Sequence, residues 1–353
     1  MNIFVIGNGM YTTGRGTDSY GTILPSILEF QRNSNQVHEI FIIGSSYVNS
    51  RLAKKKYLVI SKLSNVKLNI SFYPKNKNNK NEYKKVIKSK KGNSCAIVAT
   101  PDHLHYEMIR FCLENYIHTL CVKPLTPSFK DSKILTDLAK KNNIYGAVEF
   151  HKRYDKQNIL AKNKVNDKKF GDLLYNIVEY SQRKKIPTKI FSKWISKTNL
   201  LQYLGVHYID LLFFFTGAKP MSIMVLTQKN YLKNIKKIDT HDSMQCVIKW
   251  KPKSGQIFTQ IIFLNWIDSE NNSAMSDQKF KIISTCGRFE ADQKNRGIET
   301  INDFDKLEHP NPDFCHKYID ENNNHYWSGY GIDSIKNFLN DTVNLHNNTV
   351  TLK

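Results

Sequence analysis

The sequence predicts an α/β protein of two domains. The first is a doubly wound parallel sheet; the second is an α+β domain with a large, mostly antiparallel open sheet. Three observations predict this. Short apolar strands alternate with helical stretches through the first 150 residues. Longer strand-like runs with few helices between them fill the rest. A chain of 353 residues is long enough for two hydrophobic cores. The change of character near Phe150 sets the expected domains at 1–150 and 151–353.

Taken in order, Asn2 to Ile6 is a strand, and Tyr20 to Phe30 has helical spacing although Pro25 falls inside it. Glu39 to Ile43 and Val66 to Phe72 are strands, and Lys84 to Ile87 belongs to a short helix after the exposed loop Lys75 to Tyr83. Cys95 to Ala99 is apolar throughout, as a strand buried on both faces of a parallel sheet should be. His103 to Asn115 and Ser128 to Asn142 read as helices, with strands at Thr119 to Val122 and Ile144 to Phe150. Beyond the boundary, Leu173 to Arg183 is a long strand, and Leu200 to Thr216 is a helix stopped by Gly217. The strands Met221 to Thr227, Ser243 to Trp250, Phe258 to Leu264 and Lys279 to Ser284 follow, with a turn at Lys253-Ser254-Gly255 and a last helix at Ile332 to Val343.

The net charge of +21 raises the question of nucleic acid. The lysines are interspersed with asparagine and isoleucine and lack interleaved aromatics, so they read as solvated faces, with no nucleic-acid partner. No apolar run approaches the roughly 18 residues of a membrane span. Met1 to Gly7 enters a strand without a basic leader, against a signal peptide. Cys95, Cys112, Cys121, Cys246, Cys286 and Cys315 form no C-x-x-C pair and read as reduced core or near-core residues of a cytoplasmic protein. His103 and His105 are close together, but no carboxylate or cysteine accompanies them at metal-ligand spacing.

The first strand runs into Gly7-Asn8-Gly9-Met10-Tyr11-Thr12. Gly7 permits a tight turn, and Gly9 lets the backbone approach a pyrophosphate at the free N–H groups of the next helix. Thr12 replaces the third glycine of G-x-G-x-x-G, and a plain glycine-rich turn is the competing reading. Gly7, Gly9, Met10, Tyr11 and Thr12 are the candidate cofactor residues here. The second strand ends in Gly44-Ser45-Ser46, with Arg51 and Lys54 to Lys56 downstream and no carboxylate for a ribose hydroxyl. Ser45 and Ser46 are therefore candidates for a 2′-phosphate, and the cofactor is expected to be NADP or NAD, with NADP favoured.

Four later segments narrow the chemistry: Ala96-Ile97-Val98-Ala99-Thr100-Pro101-Asp102-His103-Leu104-His105, Cys121-Val122-Lys123-Pro124-Leu125, Val148-Glu149-Phe150-His151-Lys152-Arg153-Tyr154-Asp155, and Gly205-Val206-His207-Tyr208-Ile209-Asp210-Leu211-Leu212. In this order they resemble the glucose-fructose oxidoreductase / inositol dehydrogenase / rhizopine catabolism (Gfo/Idh/MocA) family, across nearly the whole chain. The resemblance implies an N-terminal NAD(P)-binding Rossmann domain and a C-terminal domain for substrate binding and oligomerisation. It implies oxidation or reduction of hydroxyl and keto groups on sugars, cyclitols or nucleotide sugars, in a homo-oligomer (dimer or tetramer) joined through the C-terminal sheet.

By the same resemblance, Thr100 and Pro101 lie against the cofactor and His105 near its nicotinamide end. Lys123 matches the lysine of the family's Glu-Lys-Pro motif, with Val122 in place of the glutamate. His207 matches the histidine of its Asp-x-x-x-His pattern, with Tyr203 in place of the aspartate. Lys123 would stabilise the substrate oxygen and His207 would take the hydroxyl proton. The two should face one another across a cleft between the domains. Tyr203, one helical turn before His207, would donate a proton, orient substrate or simply pack. Arg153 at the crossover and the strand-end pair Asn265-Trp266 are candidate substrate contacts. The departures at Val122 and Tyr203 leave one alternative, a non-catalytic ligand-binding or regulatory protein that retains the fold.

Overall fold

The computed structural model describes residues 1–301 and 307–352. The chain forms two units, Met1–His151 together with Asp313–Lys353, and Lys152–Pro312.

In the first unit, β1 (Asn2–Ile6) is buried along its whole length. A single helical turn, α1 (Met10–Thr13), and a loop lead to α2 (Ile23–Ser34). Pro25 is the third residue of α2, where the amide hydrogen it lacks would have no partner within the helix. The order continues with β2 (Glu39–Ile43), α3 (Tyr47–Ser64), β3 (Ile70–Tyr73), α4 (Glu82–Lys88), β4 (Ser94–Val98), α5 (His105–Glu114), β5 (His118–Val122), α6 (Phe129–Lys141) and β6 (Gly146–Glu149). The sheet has the order β3-β2-β1-β4-β5-β6 with all pairs parallel. Successive strand residues point to opposite faces, so Phe4, Phe41 and Val98 pack on the α4/α5 side while Ile3, Ile42 and Ile97 pack against α2. Strand order reverses between β1 and β4, which makes their C-terminal ends the expected ligand edge.

The second unit begins with α7 (Lys156–Val165), β7 (Leu173–Arg183) and α8 (Val206–Thr216). The strands β8 (Lys219–Gln228), β9 (Ser243–Lys251), β10 (Phe258–Asp268), β11 (Ser276–Ser284) and β12 (Arg288–Asp292) complete a sheet of order β12-β11-β7-β10-β9-β8. Every pair in it is antiparallel except β7 with β10. Even-numbered residues of β9 and β10, such as Trp250, Ile262 and Leu264, join the core with Tyr208, Leu211 and Leu212 of α8. Gly217 stops α8 in the left-handed conformation, with φ of 64°.

The chain then returns through α9 (Pro312–Cys315), the hairpin β13 (His316–Ile319) and β14 (His325–Ser328), and α10 (Tyr330–His346). The expected assignment of 151–353 to one domain is corrected here. Ile335, Phe338 and Leu339 of α10 fill the α2 side of the parallel sheet, and Trp327 packs beside Leu24 and Leu28. The cysteine expectation is corrected at one position. Cys286 is exposed, while Cys95, Cys112, Cys121 and Cys246 are buried. No described helix is long and apolar enough to cross a membrane.

Candidate active site

Two strand ends crowd together where β1 meets β4. Gly7 has φ of 122°, and a Cβ there would lie 2.0 Å from the Ala99 carbonyl oxygen. Only glycine fits that approach. Gly9 differs, with φ of −84° and nothing within 4 Å of an added Cβ. Thr12 faces inward. It is fully buried, and its hydroxyl donates to the Gly7 carbonyl at 2.9 Å, so it closes the turn that carries Gly9. The Tyr11 hydroxyl donates to Glu149 Oε1 at 3.0 Å. Burial and the adjacent Glu149 push its phenol well above the usual range. Met10 stays partly exposed at the start of the turn.

The loop after α1 is pinned by two cations. Arg15 donates through Nε to the Asn8 carbonyl at 2.9 Å and through Nη1 to Asn49 Oδ1 at 3.1 Å. Lys56 of α3 donates to the Thr17 and Ser19 carbonyls at 2.6 and 3.2 Å. Ser46 is the N-cap of α3, its hydroxyl accepting the Asn49 amide at 3.4 Å, and Ser45 beside it is exposed. Arg51 lies one turn further on, over the Tyr47 ring, and lines a groove of about 540 Å3 between α3 and β3.

The ends of β4 and β5 are tied by His105. Its ring nitrogens lie 2.8 Å from the Pro124 carbonyl oxygen and 2.7 Å from that of Thr100. The side chain is fully buried, so His105 holds the loops bearing Thr100-Pro101 and Lys123-Pro124 rather than facing a ligand. Burial pushes the Lys123 ammonium down to about 8, and Asp102 and Glu149 pull in the opposite direction. Glu149 stands opposite Val122 in the β5–β6 register and is 2% exposed. A carboxylate absent at position 122 is thus present on the neighbouring strand. Nothing in the sequence signalled this, because strand register is not visible in one segment.

In the second unit, His207 is the second residue of α8 and is buried. Tyr203 falls in a π-helical turn, Leu201–Gly205, that leads into α8. Its ring packs in an aromatic cluster, 5.4 Å from Phe191, 5.8 Å from Trp194 and 6.1 Å from Trp266. Trp266 is fully buried and donates Nε1–H to Gln182 at 3.2 Å, so its face is a core face with no room for a sugar. Asn265 is one residue away and therefore points to the opposite side of the sheet, where its Oδ1 accepts the Ile267 amide at 2.7 Å. Arg153 makes a two-pronged ion pair with Asp210 of α8, at 2.8 and 2.5 Å, and lies over Phe214. These three candidate substrate residues thus have structural surroundings. Lys152, 2% exposed between Gln293 and the Tyr208 ring, and the buried pair Asp155–Arg296 form a polar cluster that residue types alone did not single out.

Among the described residues, no three His, Cys, Asp or Glu side chains converge as metal ligands. A dinucleotide fits the first unit's edge. Gly9 offers unobstructed backbone, and α3 begins without an acidic residue in its first turn. Asn8 is 7% exposed, and its amide nitrogen has no partner among the described residues.

Residues 28–150 match the oxidoreductase family with an NAD-binding Rossmann fold, Gfo/Idh/MocA. The match covers about a third of the chain, within the first unit. An uncharacterized oxidoreductase of Schizosaccharomyces pombe is 26% identical over 197 residues, covering 55% of this chain and 51% of that protein. A scyllo-inositol 2-dehydrogenase (NADP(+)) of Bacillus subtilis is 26% identical over 141 residues, covering 39% of each chain. The chain therefore spans about half the length of the first of these relatives and less of the second. Among solved structures, scyllo-inositol dehydrogenase from Lactobacillus casei with bound NAD(H) and scyllo-inositol superposes with a TM-score of 0.67 at 13% identity. That match covers 98% of this chain and 89% of the other, and it shows that the chain shares that protein's fold.

Proposed function

We propose that this protein is a member of the Gfo/Idh/MocA family, an NAD(P)-dependent oxidoreductase that interconverts hydroxyl and keto groups on a sugar, cyclitol or nucleotide sugar. The observation that carries the reading is Lys123, an ammonium held down near 8 by burial at the end of β5, the strand next to β4, which itself pairs with the β1 that leads into the Gly7–Gly9 turn. The nicotinamide supplies the hydride acceptor or donor when bound. Lys123 donates a hydrogen bond to the reacting oxygen and stabilises its developing negative charge. His207 takes the hydroxyl proton, the general-base role open to an imidazole. Tyr203, bedded among Phe191, Trp194 and Trp266, orients the turn before His207. The acid-free start of α3 supports NADP over NAD, the cofactor printed in the name of the Bacillus relative. Exposed Met224, Leu226 and Phe263 on the open sheet support self-association through that sheet. Six free cysteines support a reducing compartment.

The test is turnover of a panel of cyclitols, sugars and nucleotide sugars with NADP+ and NAD+. Lys123→Met and His207→Ala should each lower kcat by a factor on the order of 10² to 10⁴. The double variant should lose much less than the product of the two. Dinucleotide binding should survive His207→Ala. Near-normal turnover in His207→Ala, with activity lost in Tyr203→Phe, would move the proton to Tyr203. Tight dinucleotide binding without turnover of any substrate would favour the non-catalytic alternative.

A further inference from the structure

We propose that Arg15 selects the cofactor, its guanidinium receiving the 2′-phosphate of NADP(H) together with the Asn8 amide, beside the basic helix α3. This rests on the dinucleotide reading above and adds a residue and a ligand group to it.

Arg15 is half-buried, and the groups it touches, the Asn8 carbonyl and Asn49 Oδ1, are neutral acceptors. They use two of five guanidinium donors. Among the described residues no carboxylate pairs with it, although a cation withdrawn from water needs a counter-charge. Asp18, on the same loop, is exposed and makes no ion pair with it. The opposite wall is α3, whose 18 residues contain no Asp or Glu and carry Arg51, Lys54, Lys55, Lys56 and Lys62. Such a wall offers nothing to a ribose 2′-hydroxyl that prefers a carboxylate, and it suits a dianion.

A second, independent feature lies at the same place. The Asn8 side chain occupies the space above Gly44, the residue that follows β2, so closely that a Cβ at Gly44 would lie 2.2 Å from Nδ2. The backbone of Asn8 anchors Arg15 while its buried amide nitrogen has no partner among the described residues. A donor left unsatisfied in a buried position costs free energy unless a ligand meets it. Arg15, with three guanidinium donors unused, and the unmet Asn8 amide therefore stand together beside the basic helix α3 where β2 ends.

The experiment is fluorescence titration of the full chain with NADPH and NADH, in wild type and Arg15→Gln. Wild type should prefer NADPH, with an affinity that weakens with added salt more than that of NADH. Arg15→Gln should weaken NADPH by about 10- to 100-fold and NADH by less than about 3-fold, the scale of one charge-assisted hydrogen-bond pair. In parallel, 2′,5′-ADP should raise the melting temperature of wild type more than 5′-AMP does, and that difference should vanish in the variant. Equal weakening of both dinucleotides would make Arg15 a loop tie only and overturn the proposal. A wild-type preference for NADH would overturn it while leaving the dinucleotide reading standing. Binding of neither dinucleotide would overturn both.

Discussion

Gly9→Val should abolish dinucleotide binding without harming the fold, whereas Gly7→Ala, two residues earlier, should harm the fold itself. At Gly7 the backbone is held at φ of 122°, and the added Cβ would meet the Ala99 carbonyl oxygen at 2.0 Å. Backbone strain of this kind costs about 1–3 kcal/mol. Forcing apart the packed ends of β1 and β4 adds about 1–3 kcal/mol more. The total of roughly 2–6 kcal/mol is a large part of the ~5–15 kcal/mol that holds a domain together. At Gly9, φ of −84° and ψ of −160° suit valine, and nothing lies within 4 Å of the new Cβ. Its effect on stability should stay within about 0.5 kcal/mol. The isopropyl group would instead stand between the backbone and a pyrophosphate. Urea denaturation followed by circular dichroism, paired with NADPH titration, separates the two effects. Unchanged NADPH affinity in folded Gly9→Val, or equal stability losses in both variants, would refute the reasoning.

Two further outcomes concern charge. Arg153→Met strips its partner from Asp210, whose carboxyl burial already pushes upward, and should cost about 3 kcal/mol of stability in urea melts. A raised KM with unchanged stability would instead restore Arg153 to the substrate. Burial, with His346 nearby, pushes His118 down to about 4 from an ordinary value of 6.5. Between these values the unfolded chain binds a proton that the folded chain refuses, so stability should fall as pH drops from about 6.5 to 4. His118→Asn keeps an acceptor for the Tyr145 amide that now meets His118 Nδ1 and should flatten that limb of the stability–pH curve. An unaltered slope would exclude His118 as the source.

The parallel sheet was legible because β1, β2 and β4 are buried on both faces and read as unbroken apolar runs. The helix α3 was not. Its inward positions include the small polar residues Ser50 and Ser64, while Val48, Leu58 and Val59 are half-exposed or more, so the periodic signal is blurred. The glycine turn was legible from spacing, but the inward role of Thr12 depends on a hydrogen bond that spacing does not encode. Trp266 looked like a sugar platform and proved to be core, because only the sheet's pleat decides which of two neighbouring residues faces inward. Arg15 passed unnoticed because its meaning comes from Asn49, 34 positions away.

The return of α10 to the parallel sheet has a consequence for how this chain is made. Residues 152–312 form a continuous unit, but the first unit needs Ile335, Phe338 and Leu339 to cover Ile3, Val5 and Phe30. At translation speeds of about 5–20 residues per second, some 10–40 seconds separate emergence of residue 151 from that of α10. Throughout that interval the nascent sheet carries one uncovered apolar face. The unit that begins first at the ribosome is therefore finished last, and the middle of the message can reach its native form before the beginning does. Slow codons after residue 150 would prolong that exposure, whereas fast decoding of the second unit would shorten it.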